Sequence, residues 1–427
     1  MSARSLTAAV TLALAAVLAP VSSASAATVA APDGLTGRPD HHVAARAAQA
    51  SATDPHAAEQ WALDGDGPMG IASAWRQTTG ADVTVAIVDS GIDLGHPDLV
   101  PNLWTNPGEI PGNGIDDDGD GYVDDVHGYD FVDHDGDPQD ENGHGTHVAG
   151  IVAARGGNGI GVAGVAWQAR LMAVRVLDSQ ARGTTDTVAA GVRYAVDRGA
   201  RIINLSLAGP TPTSDLEGAI AYAQAHGVLV VAAAGNDGRD LATSPTYPAA
   251  FPEDDVLGVA ATGEDGSLSP ISDYGPGADL AAPGQDILST ALGGGYEWRT
   301  GTSMAAPHVT GALVLLAAAR PDLDGPGLKA ALLAATRRGT GLPVETGALD
   351  AGAALRSVIA PAAWHAAPAA AASTARPRTV KADANAAKAK PKARKAKAKV
   401  KTAKAKARKA KARKARGVTA RRRSAQR

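Results

Sequence analysis

The sequence predicts an α/β fold: a doubly wound, mostly parallel sheet with helices on both faces, followed by a disordered basic C-terminal tail. Three observations carry this. Four near-continuous apolar runs, VTVAIVD (83–89), RLMAVRVL (170–177), RIINLSL (201–207) and GVLVVAAA (227–234), read as strands buried on both faces. Between them, TDTVAAGVRYAVDRG (185–199) and SDLEGAIAYAQAHG (214–227) have helical spacing and end in Gly. Strands alternating with helices imply a parallel sheet covered on both sides. At the far end, residues 376–427 hold 23 of the 41 lysines and arginines and one acid, Asp383, for a charge of +22; the rest of the chain carries −25.

Taken in order, the 427 residues begin with a secretory signal at 1–26: Arg4, an apolar run from Leu6 to Ala19, and Ala24-x-Ala26 before the cleavage point. That run is too short to span a membrane. Residues 27–58 are rich in Ala, Pro and small polar residues and read as a short pro-segment or linker. The folded body is expected over 59–358. It closes with a helix in GLKAALLAATRRG (327–339) and with GALDAGAAL (347–355). An Ala/Pro linker follows at 359–375, then the tail at 376–427. The chain has no cysteine, which excludes disulfides, thiol catalysis and a cysteine zinc site.

In sheets of this kind, sites form at the carboxyl ends of the strands. Asp89 and Ser206 lie at or near such ends, and Asn236 follows the fourth strand. His144 opens a helix in NGHGTHVAGIVAA, and Ser303 opens another in GTSMAAPHVTG. Singly, each has an ordinary explanation: a turn aspartate, a structural histidine, a helix-capping serine. Together they hold the parts of nucleophilic catalysis. A serine hydroxyl needs an imidazole to take its proton, and the imidazole needs a buried carboxylate to fix its tautomer.

The acidic stretch NGIDDDGDGYVDDVHGYDFVDHDGD contains DDDGDG, with Asp116, Asp118 and Asp120 at alternate positions and Gly121 at the sharp turn. That spacing is the first half of a calcium loop, with the Tyr122 carbonyl as the next ligand. The twelfth position is His127 instead of Glu, so Asp124 or Asp125 would have to substitute. A structural calcium is favoured over a merely solvated loop.

Three segments, VAIVDSGID, NGHGTHVAG and GTSMAAPHVTG, in that order strongly resemble the signatures of the subtilisin-like serine proteases. The likeness runs from Gln60 to about Leu355. It implies a secreted serine endopeptidase working through an acyl-enzyme. Asp89 would orient, His144 act as base and then acid, Ser303 attack, and Asn236 donate to the oxyanion. It further implies that substrate pairs as a strand against Ser206, Leu207 and Ala208, where relatives usually have Gly in place of Ala208. Ala233, Ala234 and Gly235 would wall the specificity pocket, with Thr246 near its floor. His147 and His308 are expected to pack behind the site. A second calcium site is implied at Asp98, with Gln60, Asn158, Ile160 and Val162, although that last loop is one residue longer than is typical. The family's folded inhibitory pro-domain has no room in 27–58. A short peptide over the cleft and no inhibitor in cis both stay open.

The rival reading is a polyanion-binding protein that keeps a protease-like scaffold. A metal-dependent hydrolase is disfavoured, because HGTH has no third ligand nearby. The tail alternates Lys or Arg with Ala, lacks aromatic residues and cannot bury a core. Expected partners are protein or peptide substrates for a monomeric body. For the tail they are anionic polymers such as cell wall or extracellular DNA, with docking on the acidic body or clipping as alternatives. The expected location is extracellular or cell-wall associated.

Overall fold

The computed structural model describes residues 28–30, 34–36, 54–65, 67–252 and 256–359. The signal, most of the pro-segment, and the residues from 360 onward, the tail included, lie outside these. Two short strands come first, β1 (Thr28–Ala30) and β2 (Gly34–Thr36), followed by helix α1 (Ile71–Trp75). Next come β3 (Thr84–Asp89), β4 (Gly128–Asp130), α2 (His144–Ala153), β5 (Arg170–Arg175) and β6 (Arg182–Thr184). Helix α3 (Thr185–Asp197), β7 (Ile202–Leu205), α4 (Ser214–Ala225) and β8 (Leu229–Ala233) complete the pattern read from sequence. Beyond it lie β9 (Val256–Thr262), β10 (Leu280–Pro283), β11 (Ile287–Ala291), β12 (Gly295–Thr300), α5 (Thr302–Ala319), α6 (Gly325–Ala334) and α7 (Ala351–Val358).

Seven strands form one sheet in the order β10-β9-β8-β7-β3-β5-β4, and every pairing in it is parallel. Side chains alternate across it. Val85 and Ile87 of β3 join an apolar cluster with Val148 and Ile151 of α2 and Leu313 of α5. Ala86 and Val88 join the opposite cluster with Val188 and Val192 of α3 and Leu216 and Ile220 of α4. Both faces are therefore covered, as the uninterrupted apolar strands require. A fully buried side chain such as Ile87 contributes roughly 1.5–3 kcal/mol to this layering. Among the described residues, α5 is the one helix apolar enough to cross a membrane, and 89% of it is buried in this core.

Capping side chains set the helix starts. Thr184 and Thr187 cap α3 reciprocally, each backbone N–H donating to the other's hydroxyl at 3.2 and 3.1 Å. Asp324 accepts from the Gly327 N–H at 3.0 Å, so α6 begins at Gly325, two residues before the expected start. It also ends early. Arg337 pairs with Ala348 through two backbone bonds of 2.8 and 3.1 Å, which draw the TRRG segment out of the helix.

From β3 the chain passes through α2 to β5 on one side, and α3 then carries it back over to β7 on the other. The order reverses between β3 and β7. The loops leaving their carboxyl ends diverge there and open a crevice, the usual place for a site in such a sheet.

Candidate active site

Asp89 is the last residue of β3 and is fully buried. Its Oδ1 accepts from the Ser90 N–H and from His144 Nδ1, both at 2.7 Å. A carboxylate only accepts, so Nδ1 carries the proton in the neutral ring and Nε2 is the basic nitrogen. His144 is the first residue of α2. A second buried carboxylate, Asp140, holds that helix start in place. Its Oδ1 accepts from the Asn142 and Gly143 N–H groups and from the Ser90 hydroxyl, each at 2.9 Å. Its Oδ2 accepts from the Thr146 N–H at 2.9 Å and the Thr146 hydroxyl at 2.6 Å. The Ser90 hydroxyl in turn accepts from the Gly145 N–H at 2.9 Å. The strand bearing Asp89 and the helix bearing His144 are thus locked together through Ser90 and Asp140. Sequence reasoning missed Asp140. The available signal was an Asp four residues before a helix that starts on His after two turn residues.

Ser303 is the second residue of α5 and is 1% exposed. Its hydroxyl donates to the Ser206 carbonyl at 3.2 Å, and the Ser206 hydroxyl donates to the Ser303 carbonyl at 2.8 Å. Asn236 follows β8, and its Oδ1 accepts from the Thr302 N–H at 2.8 Å and the Thr302 hydroxyl at 2.9 Å. That fixes the amide's orientation, with Nδ2 on the donor side. The Thr302 hydroxyl also accepts from the Gly235 N–H at 3.1 Å, so one side chain clamps the whole turn. Thr302 was legible in sequence only as a helix start.

A cleft of about 430 Å³ adjoins this turn, lined in part by Ala208, Gly209, Gly235, Asn236, Thr246 and Asp273. Of the expected pocket residues, Ala208, Gly235 and Thr246 face it. Ala233 and Ala234 do not line it: both are buried, in two different apolar clusters. Alternation along β8 and its extension turns those side chains into the core. Leu207 is likewise buried in the core, and the Ser206 side chain is spent on Ser303 and on Asn204 Nδ2 at 2.9 Å. Thr246 turns its hydroxyl to the Ala234 carbonyl. Asp273, unforeseen, accepts from the Asp237 and Arg239 N–H groups at 3.1 and 2.8 Å, and burial pushes its carboxyl upward. His147 and His308 are buried as expected. Burial holds His147 well below the usual imidazole range and lowers His308 to about 4.

In the acidic insertion, Asp116, Asp118 and Asp120 present carboxylate oxygens to one another, and a second group joins Asp118 to Glu109 and Asp125. Arg198, the C-cap of α3, ion-pairs with Asp118 and Asp120. The two candidates for the closing ligand separate here. Asp125 is buried, accepts from Tyr194 and Asn106 at 2.7 Å each, and burial lifts it to about 6. Asp124 instead caps the preceding turn, accepting from the Asn113 and Gly114 N–H groups at 3.1 and 2.8 Å. The Tyr122 ring packs edge-on against Tyr129 and Tyr194. His127 turns to the Trp104 carbonyl. Asn106 and Glu109 were not anticipated, since they precede the motif by ten and seven residues.

Around Asp98 the chain does assemble in part. Asp98 accepts from Asn158 Nδ2 at 2.7 Å, from the Val162 N–H at 3.1 Å and from the Tyr296 hydroxyl at 2.8 Å. Gln60 is committed to the Ala163 backbone by two bonds of 2.8 and 2.9 Å. Ile160 is 39% exposed, and its N–H goes to Asn158 Oδ1 at 2.9 Å. Asp54 takes two more of the loop's amides, accepting from Gly157 and Gly159 at 2.7 and 3.0 Å.

A profile of the subtilase family matches residues 80–352. The chain belongs to the subtilase family. Thermitase from Thermoactinomyces vulgaris is 44% identical over 253 residues, covering 59% of this chain and 81% of thermitase. A thermophilic serine proteinase from Bacillus sp. (strain AK1) is 44% identical over 246 residues, covering 57% of this chain and about half, 54%, of the relative. Among solved structures, a protease from Pseudoalteromonas arctica PAMC 21717 superposes with a TM-score of 0.60 at 31% identity, covering 71% of this chain and 98% of that one. This subtilase is accordingly a serine endopeptidase, a hydrolase of peptide bonds, on the doubly wound fold read from its sequence.

Proposed function

We propose that this subtilase is a secreted, calcium-stabilised endopeptidase whose acyl-enzyme forms on Ser303. The observation that carries the assignment is the buried 2.7 Å bond from His144 Nδ1 to Asp89, which leaves Nε2 as the base at the crevice holding Ser303. In this reading the Ser303 hydroxyl turns from the Ser206 carbonyl to His144 Nε2, gives up its proton and attacks the substrate carbonyl. Asp89 stabilises the imidazolium. The oxyanion is met by Asn236 Nδ2, which Thr302 orients, at the positive end of α5. Substrate lies as an added strand against Ala208, and Gly235 and Thr246 bound the side-chain pocket.

Calcium would be held by oxygen ligands only, from Asp116, Asp118, Asp120 and the Tyr122 carbonyl, with Asp125 preferred over Asp124. Asp98, Asn158 and Val162 would hold a second ion. All-oxygen donor sets suit a hard cation. Its role there is to neutralise clustered carboxylates and stiffen the loops. Secretion rests on residues 1–26, and binding of anionic polymers by a monomeric enzyme rests on the composition of 376–427. A relative from Paenibacillus polymyxa is named an intracellular serine protease, so family membership does not decide the compartment.

The test is Ser303→Ala. It should fold normally, lose labelling by a fluorophosphonate probe, and lower kcat by about 10⁶-fold, the magnitude known for removal of a serine-protease nucleophile. A purified variant with near wild-type hydrolysis would end the assignment.

A further inference from the structure

The cleft beside Asn236 holds a carboxylate with one oxygen unspent. Asp273 lines that cleft although it is 1% exposed. Its two oxygens differ. Oδ1 accepts from the Asp237 and Arg239 N–H groups at 3.1 and 2.8 Å, and so fixes the turn that follows Asn236. Oδ2 is buried and accepts from no donor among the described residues. Gly235 shows where it lies: a Cβ there would be 2.2 Å from Asp273 Oδ2 and 3.3 Å from Thr246 Cγ2. Glycine at 235, with φ +117°, leaves room for the free oxygen beside the Thr246 methyl. The Thr246 hydroxyl gives its one proton to the Ala234 carbonyl and has none for Oδ2. The other charged residues on the cleft are Asp237 and Arg239. They pair with each other at 3.3 Å, and their side chains are 59% and 61% exposed. They act on the Asp273 carboxyl with opposite sign, while burial pushes it upward. A buried carboxylate oxygen without a donor is costly. A ligand that brings a donor to it removes that cost.

We propose that Asp273 is a specificity-determining residue that takes the ammonium group of a lysine side chain, so that this enzyme cleaves after lysine; this rests on the peptidase reading above. Asn236 receives the oxyanion in that reading, so the side chain nearest its cleft belongs to the residue with the reacting carbonyl. Ala208, Gly209, Pro210 and Pro245 line the cleft with small apolar surface, which suits a stem of methylenes. The end of that stem meets Asp273. An apolar end would bury Oδ2 against carbon and leave it unpaired. A glutamate would set like charges together. Arginine presents two parallel N–H groups, which are best met by two carboxylate oxygens. Asp273 has one to offer, because Oδ1 is spent on the turn. An ammonium is a compact point donor and needs only one.

The experiment uses the full-length protein, wild type beside Asp273→Asn. The substrates are chromogenic peptides identical except for lysine, arginine, norleucine or glutamate before the scissile bond. Asparagine keeps an oxygen for the two turn N–H groups and puts an NH₂ donor where Oδ2 stands. A charge-assisted bond should give wild type a kcat/KM about 10- to 100-fold higher for lysine than for norleucine, with arginine below lysine and glutamate last. Asp273→Asn should bring the lysine-to-norleucine ratio down to about one. On wild type, n-butylammonium should compete with the lysine peptide about tenfold or more better than n-butanol. The inference is overturned by a wild type that cleaves the norleucine peptide as well as the lysine peptide, or that prefers arginine to lysine. It is overturned as well by an Asp273→Asn enzyme that keeps the wild-type ratio. Should Asp273→Asn not fold, the wild-type ratios and the butylammonium comparison decide alone. A wild type that is labelled by a fluorophosphonate yet shows no lysine preference overturns this inference and leaves the peptidase reading standing. A wild type that neither takes the label nor cleaves any of the peptides removes the peptidase reading, and this inference with it.

Discussion

Thr302→Val tests whether the orientation of Asn236 matters to the chemistry. Valine keeps the shape of threonine and removes one hydroxyl. The loss takes away the 2.9 Å bond to Asn236 Oδ1 and orphans the Gly235 N–H, which the hydroxyl accepts at 3.1 Å, but leaves the 2.8 Å bond from the Thr302 N–H to Asn236. One of two tethers on the amide therefore survives. A hydrogen bond of this kind is worth about 1 kcal/mol net. If that energy holds the Nδ2 donor toward the developing oxyanion, kcat should fall about 5- to 10-fold with KM little changed. This is well short of the 10²–10³-fold expected for deleting a donor such as Asn236 outright. The orphaned Gly235 N–H should also cost about 1–3 kcal/mol of stability. Steady-state kinetics on a peptide substrate, with Thr302→Ser as the rescue, separate the two effects. An unchanged kcat, a change confined to KM, or a Thr302→Ser variant as slow as Thr302→Val would refute the reasoning.

Asp118→Ala combined with Asp120→Ala should remove part of a calcium-dependent rise in thermal midpoint while leaving kcat largely intact; identical midpoints for wild type in EDTA and in millimolar calcium would remove the ion. His308 is buried, and burial lowers it to about 4. Below pH about 6.5 the unfolded chain therefore binds a proton that the folded chain refuses. Stability should be full above that pH and decline by about 3 kcal/mol as the pH falls toward 4, a decline that His308→Gln should flatten in urea titrations. A chain ending at Ala360 should elute from heparin at lower salt than the full-length protein, with equal peptidase activity.

The central sheet was legible because β3, β5, β7 and β8 are buried on both faces and so appear as unbroken apolar runs. Strands β10 to β12 escaped notice because LAAP, ILSTA and GYEWRT are short and either small-residue or partly polar. Shortness hides them even though partners lie near: β10 pairs with β9, the preceding strand, and β11 pairs with β12 in a local hairpin across Leu292–Gly294. The same reason conceals β1 and β2, each three residues in an Ala-, Pro- and Gly-rich stretch. Asp89, His144, Ser303 and Asn236 could be read because each sits at the end of an element that the sequence announces. Asp140, Thr302 and Glu109 could not, because they act on backbone N–H groups or on other side chains that only the folded chain brings near. Asp124 and Asp125 are adjacent and chemically alike. What separates them is that the Tyr194 hydroxyl, on a helix some seventy residues away, reaches one of them.

Two buried carboxylates divide the work at the crevice. Asp89 receives the imidazole, and Asp140 receives the end of the helix that carries it. Neither is neutralised by a lysine or arginine in the bonds described; each is stabilised by converging N–H and O–H donors. Such donors give a buried carboxylate strong, directional partners without a mobile cation. Ser90 couples the pair: its backbone N–H goes to Asp89, its hydroxyl to Asp140, and that same hydroxyl accepts from Gly145. A rotation of α2 about its axis would therefore break bonds to both carboxylates at once. Glycine at 145 completes the fit, since a Cβ there would lie 2.2 Å from the Gly91 carbonyl oxygen and 3.2 Å from Asp89 Cβ. The close approach of strand and helix sets the 2.7 Å contact between imidazole and carboxylate, and any residue larger than glycine at 145 would open it.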